Sequence, residues 1–367
     1  MKKRRILFVF IFLAVSTLKA QTNGKHAFAP AHEYSGSIEK ATQIIHEFLD
    51  KNNLPGFSVA AGVDGKIVWT EGFGWADVEN RVRVTPLTKF RVGSVSKSLT
   101  GAAVMLLHEN GKLDLDAPVQ KYVPDFPEKR WPISTRQVAG HIAGIRHYRG
   151  LEFLSSKNFK TVAQGLDVFE DDTLLFQPGT KYSYSSYGWN LVSAVIEGAS
   201  DEEFLAFMRE NVFWPIGMIH TSADHVDSLI AYRTRFYARS GDGAVINAPF
   251  VDNSYKWAGG GFIANTADMV RFGMAFFQPG FLKQTSIDIL WQSLKTDDGK
   301  PTNYGIGWRT NKDAEGRHWV GHSGGSVGGT AFLIVYPEQK VVVSILTNIG
   351  GARWGDLPQQ LAAAFIR

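Results

Sequence analysis

The pattern of apolar and polar positions divides the chain into two sheet-forming ends around a helical middle. Residues 37–50 carry Ile38, Ala41, Ile44, Ile45, Phe48 and Leu49 at three- and four-residue spacing. That spacing predicts an amphipathic helix capped by Ser37 and ended by Pro55-Gly56. Two apolar runs, 57–63 and 66–70, flank Asp64-Gly65, a strong hairpin signal, and 72–75 extends the second strand. A short strand over 90–92 precedes a helix that starts at Ser94. Leu99, Ala102, Ala103, Leu106 and Leu107 mark its buried face, and Asn110-Gly111 is its stop.

From Lys112 to about Thr234 strand-like runs are scarce. Proline-punctuated loops alternate with helical segments predicted at 135–141, 162–169, 187–198 and 202–212. Gly259-Gly260-Gly261-Phe262-Ile263 then leads into a helix over 266–277 with Thr266 as its N-cap. Strands are predicted at 304–308, 319–321, 330–336 and 340–346, and a helix at 356–366. Strands at both ends with helices between predict a mixed α/β fold whose sheet is assembled from distant segments. The sheet lobe covers about 37–93 and 300–367, and a mainly helical lobe about 94–299. No repeat at a fixed period is present.

The first twenty residues follow another rule. Lys2, Lys3, Arg4 and Arg5 precede an apolar run over 6–15 and a small residue, Ala20. This is the pattern of a secretory signal peptide, and the run is too short for a comfortable membrane span. Residues 21–36 read as a flexible leader, and the mature protein as exported to a periplasm or the medium. The segment also alters the charge. The chain has 39 basic and 35 acidic residues, but Lys2, Lys3, Arg4, Arg5 and Lys19 fall within the signal peptide. The remainder is close to neutral, so charge gives no reason to expect nucleic-acid or anionic-membrane binding. The absence of cysteine removes disulfides, thiolate metal sites and cysteine nucleophiles.

The chemistry centres on Ser94-Val95-Ser96-Lys97. Residues three apart on a helix share a face, so the Lys97 amine can reach the Ser94 hydroxyl. A helix N-terminus also favours developing negative charge at that serine. The pair alone is weak, because Ser37-Ile38-Glu39-Lys40 repeats it. Gly321-His322-Ser323-Gly324-Gly325 and Gly324-Gly325-Ser326-Val327-Gly328 fit the Gly-x-Ser-x-Gly elbow, but strand rather than helix follows them and no histidine occurs beyond His322. His141 and His147 lack a third ligand at useful spacing and read as wall residues, so no metal is expected. No cofactor is implied.

Two later motifs give Ser94 its context. In Pro178-Gly179-Thr180-Lys181-Tyr182-Ser183-Tyr184 a turn leads to a tyrosine just before a helix, and His322-Ser323-Gly324-Gly325 lies at the edge of an apolar strand. Ser94, Lys97, Tyr184 and a basic residue before Ser-Gly together resemble the serine β-lactamase/penicillin-binding-protein family. Within it the chain resembles the class C-related branch, and there the mitochondrial serine-β-lactamase-like proteins of animals. The resemblance spans about residues 38–350 and implies the β-lactamase/DD-peptidase fold. It implies Ser94 as the acylated nucleophile, with Lys97 or Tyr184 as its base and His322 as the third basic group. It also implies an oxyanion hole from the backbone N–H groups of Ser94 and Gly325, with Ser323 and Gly324 beside it. Where many relatives have Tyr-x-Asn, this chain has Tyr184-Ser185-Ser186, and a serine replaces only part of an amide's contacts. The expected substrate is therefore a small peptide or ester rather than a β-lactam, although a true β-lactamase and a non-hydrolytic penicillin-binding sensor are the alternatives.

Overall fold

The structure, a computed structural model, describes residues 32–367. The expected signal peptide and the expected leader as far as residue 31 lie outside the described residues. Residues 32–36, the end of the expected leader, are already ordered. A turn at His32–Tyr34 runs into helix α1 (Ser35–Asn52), so Ser37 lies inside the helix rather than capping it.

The hairpin at Asp64-Gly65 forms as expected, both residues adopting positive φ between β1 (Gly56–Val63) and β2 (Lys66–Asp77). Then come β3 (Val82–Arg83) and β4 (Phe90–Arg91). A single turn, Gly93–Val95, leads into α2 (Ser96–Glu109). The middle of the chain contributes α3 (Thr135–Ala139), α4 (Val162–Leu166), α5 (Ser186–Ser200) and α6 (Phe204–Phe207). It continues through β5 (Ser222–Ala223), β6 (Tyr237–Arg239), β7 (Val245–Asn247) and α7 (Trp257–Gly260). After β8 (Phe262–Ala264), α8 (Thr266–Ala275) and α9 (Gln284–Trp291), the chain returns to strands. These are β9 (Arg309–Lys312), β10 (His318–Ser326), β11 (Gly329–Tyr336) and β12 (Val341–Thr347), and α10 (Leu357–Ala363) closes the chain.

The two ends of the chain meet at the centre of one antiparallel sheet of order β3-β2-β1-β12-β11-β10-β9. Phe57 pairs with Thr347 and Val63 with Val341. Every residue of β1 is buried, and the alternation of side chains sorts them into two cores. Phe57, Val59, Ala61 and Val63 join the cluster under α1 and α10. The other face is built of small residues, Ser58, Ala60 and Gly62, because α8 lies directly on it. Ser58 Oγ and Thr266 Oγ1 are 2.9 Å apart. A Cβ on Gly62 would sit 2.5 Å from Met274 Sδ and 2.6 Å from Val270 Cγ1. We expect Gly62→Val to lower stability by about 1–3 kcal/mol through overpacking, read as a fall in the urea midpoint at unchanged slope. Since α8 lies inside the 94–299 segment, the helical insertion also supplies the helix that covers one face of the sheet.

Other expectations need correction. The residue whose side chain accepts from the N–H of Asp268 is Asn265, at 2.8 Å, so Asn265 and not Thr266 caps α8. Residues 304–308 form no strand. Tyr304, Ile306 and Trp308 are fully buried, Gly307 has φ +79°, and the Gly307 carbonyl accepts from Ser98 Oγ at 2.6 Å. The segment is an irregular plug on α2, and its alternation of large residues and glycine mimicked a strand. The short strand at Phe90 pairs with β8 in a separate three-stranded sheet, β4-β8-β5. Beyond Phe207 the helix expected to Val212 continues as a π-turn, Met208–Phe213.

Candidate active site

The turn that carries Ser94 is pressed against the free edge of β10. Strand β9 pairs with β10 only from His318 to Gly321, which leaves His322–Ser326 unpaired on that side. Gly93 takes φ +52°, and a Cβ there would lie 2.6 Å from the Gly325 carbonyl oxygen and 2.8 Å from its nitrogen. A Cβ on Gly324 would lie 1.9 Å from the Val92 carbonyl oxygen. Only glycines at these two positions allow the two backbones to approach so closely. Gly325 itself faces open space. Arg91 ties the same elements from behind, donating from Nε to Asp224 at 2.6 Å and from Nη1 to the Val327 carbonyl at 2.8 Å.

One turn after Ser94, at the second position of α2, Lys97 is fully buried. Its Nζ lies 3.0 Å from Ser94 Oγ, 3.1 Å from Ser186 Oγ and 2.6 Å from the Gly259 carbonyl oxygen. None of these partners is a carboxylate. Burial, followed by the like charges of Lys256 and Arg309, holds the Lys97 amine well below its ordinary value. A neutral amine has two N–H groups and one lone pair. Donation to Gly259 and Ser186 leaves the lone pair for the Ser94 hydroxyl, the arrangement a base requires.

Tyr184 stands over this pair, its ring centroid 5.0 Å from Lys97 Nζ. Burial pushes its phenol above the usual range, with a hydrogen bond to Ser94 opposing. The phenol is therefore protonated at neutral pH and suited to donate. The start of α5 is fixed by two imidazoles. Ser185 N–H donates to His141 Nδ1 and Ser186 N–H to His147 Nδ1, each at 3.1 Å. Accepting nitrogens must be unprotonated, in keeping with burial lowering both histidines, His147 to about 4. His141 and His147 thus hold Tyr184 and Ser186 in place. Among the described residues no cluster of histidine and carboxylate side chains could hold a metal.

These groups open on a cavity of about 400 Å³ whose wall includes Ser94, Tyr184, Ser186, Gly259, Gly325 and Ser326. The Beta-lactamase family model matches residues 41–364. The chain belongs to the Beta-lactamase family. The mouse mitochondrial serine beta-lactamase-like protein LACTB is 30% identical over 93% of this chain and 82% of its own length. The octameric penicillin-binding protein homologue of Pyrococcus abyssi superposes with a TM-score of 0.76 at 25% identity, over 89% of this chain and 77% of that one. The D-amino acid amidase of Ochrobactrum anthropi SV3 shares the fold, with a TM-score of 0.78 at 21% identity over 90% and 99% of the two chains. The protein is a serine hydrolase of this family.

The remaining members of the expected β-lactamase-family site are placed differently. His322 is buried behind the cavity and does not line it. Its Nδ1–H donates to the Ser323 carbonyl at 2.5 Å, and its Nε2 accepts from the Tyr304 hydroxyl at 2.8 Å. Burial and the charge of Lys97 hold it well below its ordinary value. A neutral His322 supplies no cation to stabilise a Tyr184 phenolate; it braces Tyr304 and β10 instead. Ser323 and Gly324 also lie outside the cavity lining. Ser37 and Lys40 sit on α1, remote from the cavity, with Lys40 exposed.

Ser326 and Lys256 are among the wall residues that sequence reasoning missed. Ser326 lines the cavity and is buried with an unbonded hydroxyl, and it was masked by the misleading elbow pattern. Lys256 stood between aromatic residues with no motif to mark it.

Proposed function

We propose that this protein is an exported hydrolase that cleaves small peptides or esters through an acyl-enzyme at Ser94. The observation that carries the reading is the buried Lys97 amine, bonded to Ser94 in surroundings without a carboxylate. Lys97 takes the Ser94 proton as Oγ attacks the carbonyl carbon, and the tetrahedral oxyanion forms beside the backbone of Ser94 and Gly325. The bond to the leaving group breaks as Tyr184 donates its phenolic proton, and the proton on Lys97 returns to the Tyr184 oxygen. Water then attacks the acyl carbon with Lys97 as base again, releasing the acid and restoring Ser94. Ser186 supports the lysine with a single hydroxyl, which favours peptide and ester substrates over β-lactams. The basic and apolar pattern of residues 1–20 supports export, and among the described residues no helix is long and apolar enough to cross a membrane.

The test is covalent labelling of the protein lacking residues 1–20 by a fluorophosphonate and by a fluorescent penicillin. Wild type labels at Ser94, Ser94→Ala does not, and Ser323→Ala behaves as wild type. A label that survives Ser94→Ala and disappears in Ser323→Ala overturns the nucleophile. Penicillin labelling without release favours a binding protein, and rapid nitrocefin turnover a β-lactamase.

A further inference from the structure

Lys256 is a buried titratable group that acyl transfer at Ser94 leaves without a direct part. It immediately precedes α7, is only 2% exposed, and lines the cavity beside Ser94. Its Nζ makes no hydrogen bond among the described residues. It lies instead among three aromatic rings, 4.3 Å from the centroid of Phe153, 5.0 Å from Tyr255 and 5.7 Å from Tyr148. Aromatic faces favour a cation but do not neutralise it. The nearby acids are engaged elsewhere. Asp224 accepts from Arg91, Arg233 and Asn253, and Glu152 accepts from Arg146, Arg149 and Tyr187. No residue lining the cavity is a carboxylate. A buried cation without a counter-charge is unfavourable, and a ligand anion would supply the missing partner.

We propose that Lys256, with Tyr148, Phe153 and Tyr255, forms a subsite for a carboxylate carried on the acyl portion of the substrate. The leaving group must meet the Lys97–Tyr184 pair to collect its proton. Tyr184 lines the same cavity, but the rings around the Lys256 amine are those of Phe153, Tyr255 and Tyr148, so that end of the cavity falls to the acyl group. This choice of side rests on Ser94 as nucleophile; the anion site itself does not. Phe153 covers the amine from a three-residue turn, Glu152–Leu154, and is partly exposed, so a side-chain rotation there opens the approach. Burial and the charge of Arg91 hold the empty Lys256 amine down to about 7, with Asp224 opposing. A bound anion needs the protonated form, so affinity falls as pH rises through that value. Of the other groups around it, His147 is neutral, and Tyr148 and Tyr255 are held protonated by burial. Against the opposing effect of burial, Glu152 is held below its ordinary value by its bonds from Arg146 and Arg149. Arg91 and Asp224 are paired with each other, and Lys97 is the second amine that can titrate.

The experiment compares p-nitrophenyl hemiglutarate with p-nitrophenyl pentanoate, and 4-carboxyphenyl acetate with phenyl acetate, on wild type and Lys256→Met. Wild type should prefer the hemiglutarate by about tenfold or more in kcat/KM, show no such gain with the carboxylate on the leaving group, and lose the preference in Lys256→Met. Equal use of both acyl groups, a preference that survives the substitution, or a gain only with 4-carboxyphenyl acetate overturns the proposal. A second arm needs no turnover: calorimetric binding of monomethyl glutarate to Ser94→Ala. Its Kd should weaken about tenfold between pH 6 and pH 8 and rise at least tenfold in Ser94→Ala/Lys256→Met at pH 6; no binding, or binding indifferent to Lys256, overturns the subsite. If binding behaves as expected while no ester is cleaved, the hydrolase reading fails and the anion site stands. Lys256→Met should melt no lower than wild type, because it removes a buried charge.

Discussion

Lys97→Met is expected to lower kcat by about a thousandfold or more and to abolish the acidic limb of the pH profile. The size follows from geometry: Lys97 is the only basic side chain bonded to Ser94 Oγ among the described residues, and a free serine hydroxyl is a weak nucleophile. The sign of the pH effect follows from its environment. Burial and two like charges depress the Lys97 pKa, so the neutral amine exists at a pH where an exposed lysine would be an ammonium. Below the depressed value Lys97 takes up a proton, loses its lone pair and donates to Ser94 instead of accepting from it. The rate constant kcat/KM therefore rises with pH through the Lys97 value in wild type. In Lys97→Met that limb is gone and the residual rate is flat in this range. The limb also responds to Lys256. While Lys256 is protonated its charge opposes a second charge on Lys97, so Lys256→Met should move the limb to higher pH. A Lys97→Met enzyme that keeps more than a tenth of wild-type kcat, or keeps the limb, would assign the base to another group. Tyr184 would be the first alternative.

Parts of this arrangement could be read from sequence because they depend on local periodicity. The short apolar runs of β1, β11 and β12, the Asp64-Gly65 turn and the Ser94–Lys97 spacing each span a few residues. The side-chain period of one element is enough to recognise them. What escaped depends on approaches between distant segments. Residues 304–308 alternate as a strand does, but their partner is the side of α2, where Ser98 bonds the Gly307 carbonyl. Thr266 is as good a cap on paper as Asn265, and only the Ser58–Thr266 contact 208 positions away takes its hydroxyl for other use. His322 has the motif position of a catalytic base, yet Tyr304, which sequence placed in a separate strand, occupies its ring nitrogen. Lys256 is an extreme case. A lysine between tyrosine and tryptophan reads as a surface residue, and only the convergence of Tyr148, Phe153 and α7 makes it a buried cation.

The oxyanion hole should prove as sensitive as the base, at a position that touches no substrate. Gly324→Ala is expected to cost about a hundredfold or more in kcat while secondary structure persists. A Cβ at residue 324 would lie 1.9 Å from the Val92 carbonyl oxygen and 3.2 Å from the Ser94 nitrogen. Both are backbone atoms, so no rotamer change relieves the overlap. Strand β10 must withdraw from the Ser94 turn by a large part of an ångström, and the backbone donors of Ser94 and Gly325 proposed to hold the oxyanion separate with it. Loss of a single such donor costs about a hundredfold to a thousandfold, and displacement on this scale can have a comparable effect. Stability should fall by about 1–3 kcal/mol. Gly325→Ala provides the contrast. Its Cβ meets nothing within 4 Å and its N–H is retained, so its loss should be less than tenfold. Circular dichroism, urea midpoints and single-turnover acylation of the two variants separate the effects. Equal losses at 324 and 325 would mean that the cavity face of β10, rather than its contact with the Ser94 turn, sets the rate.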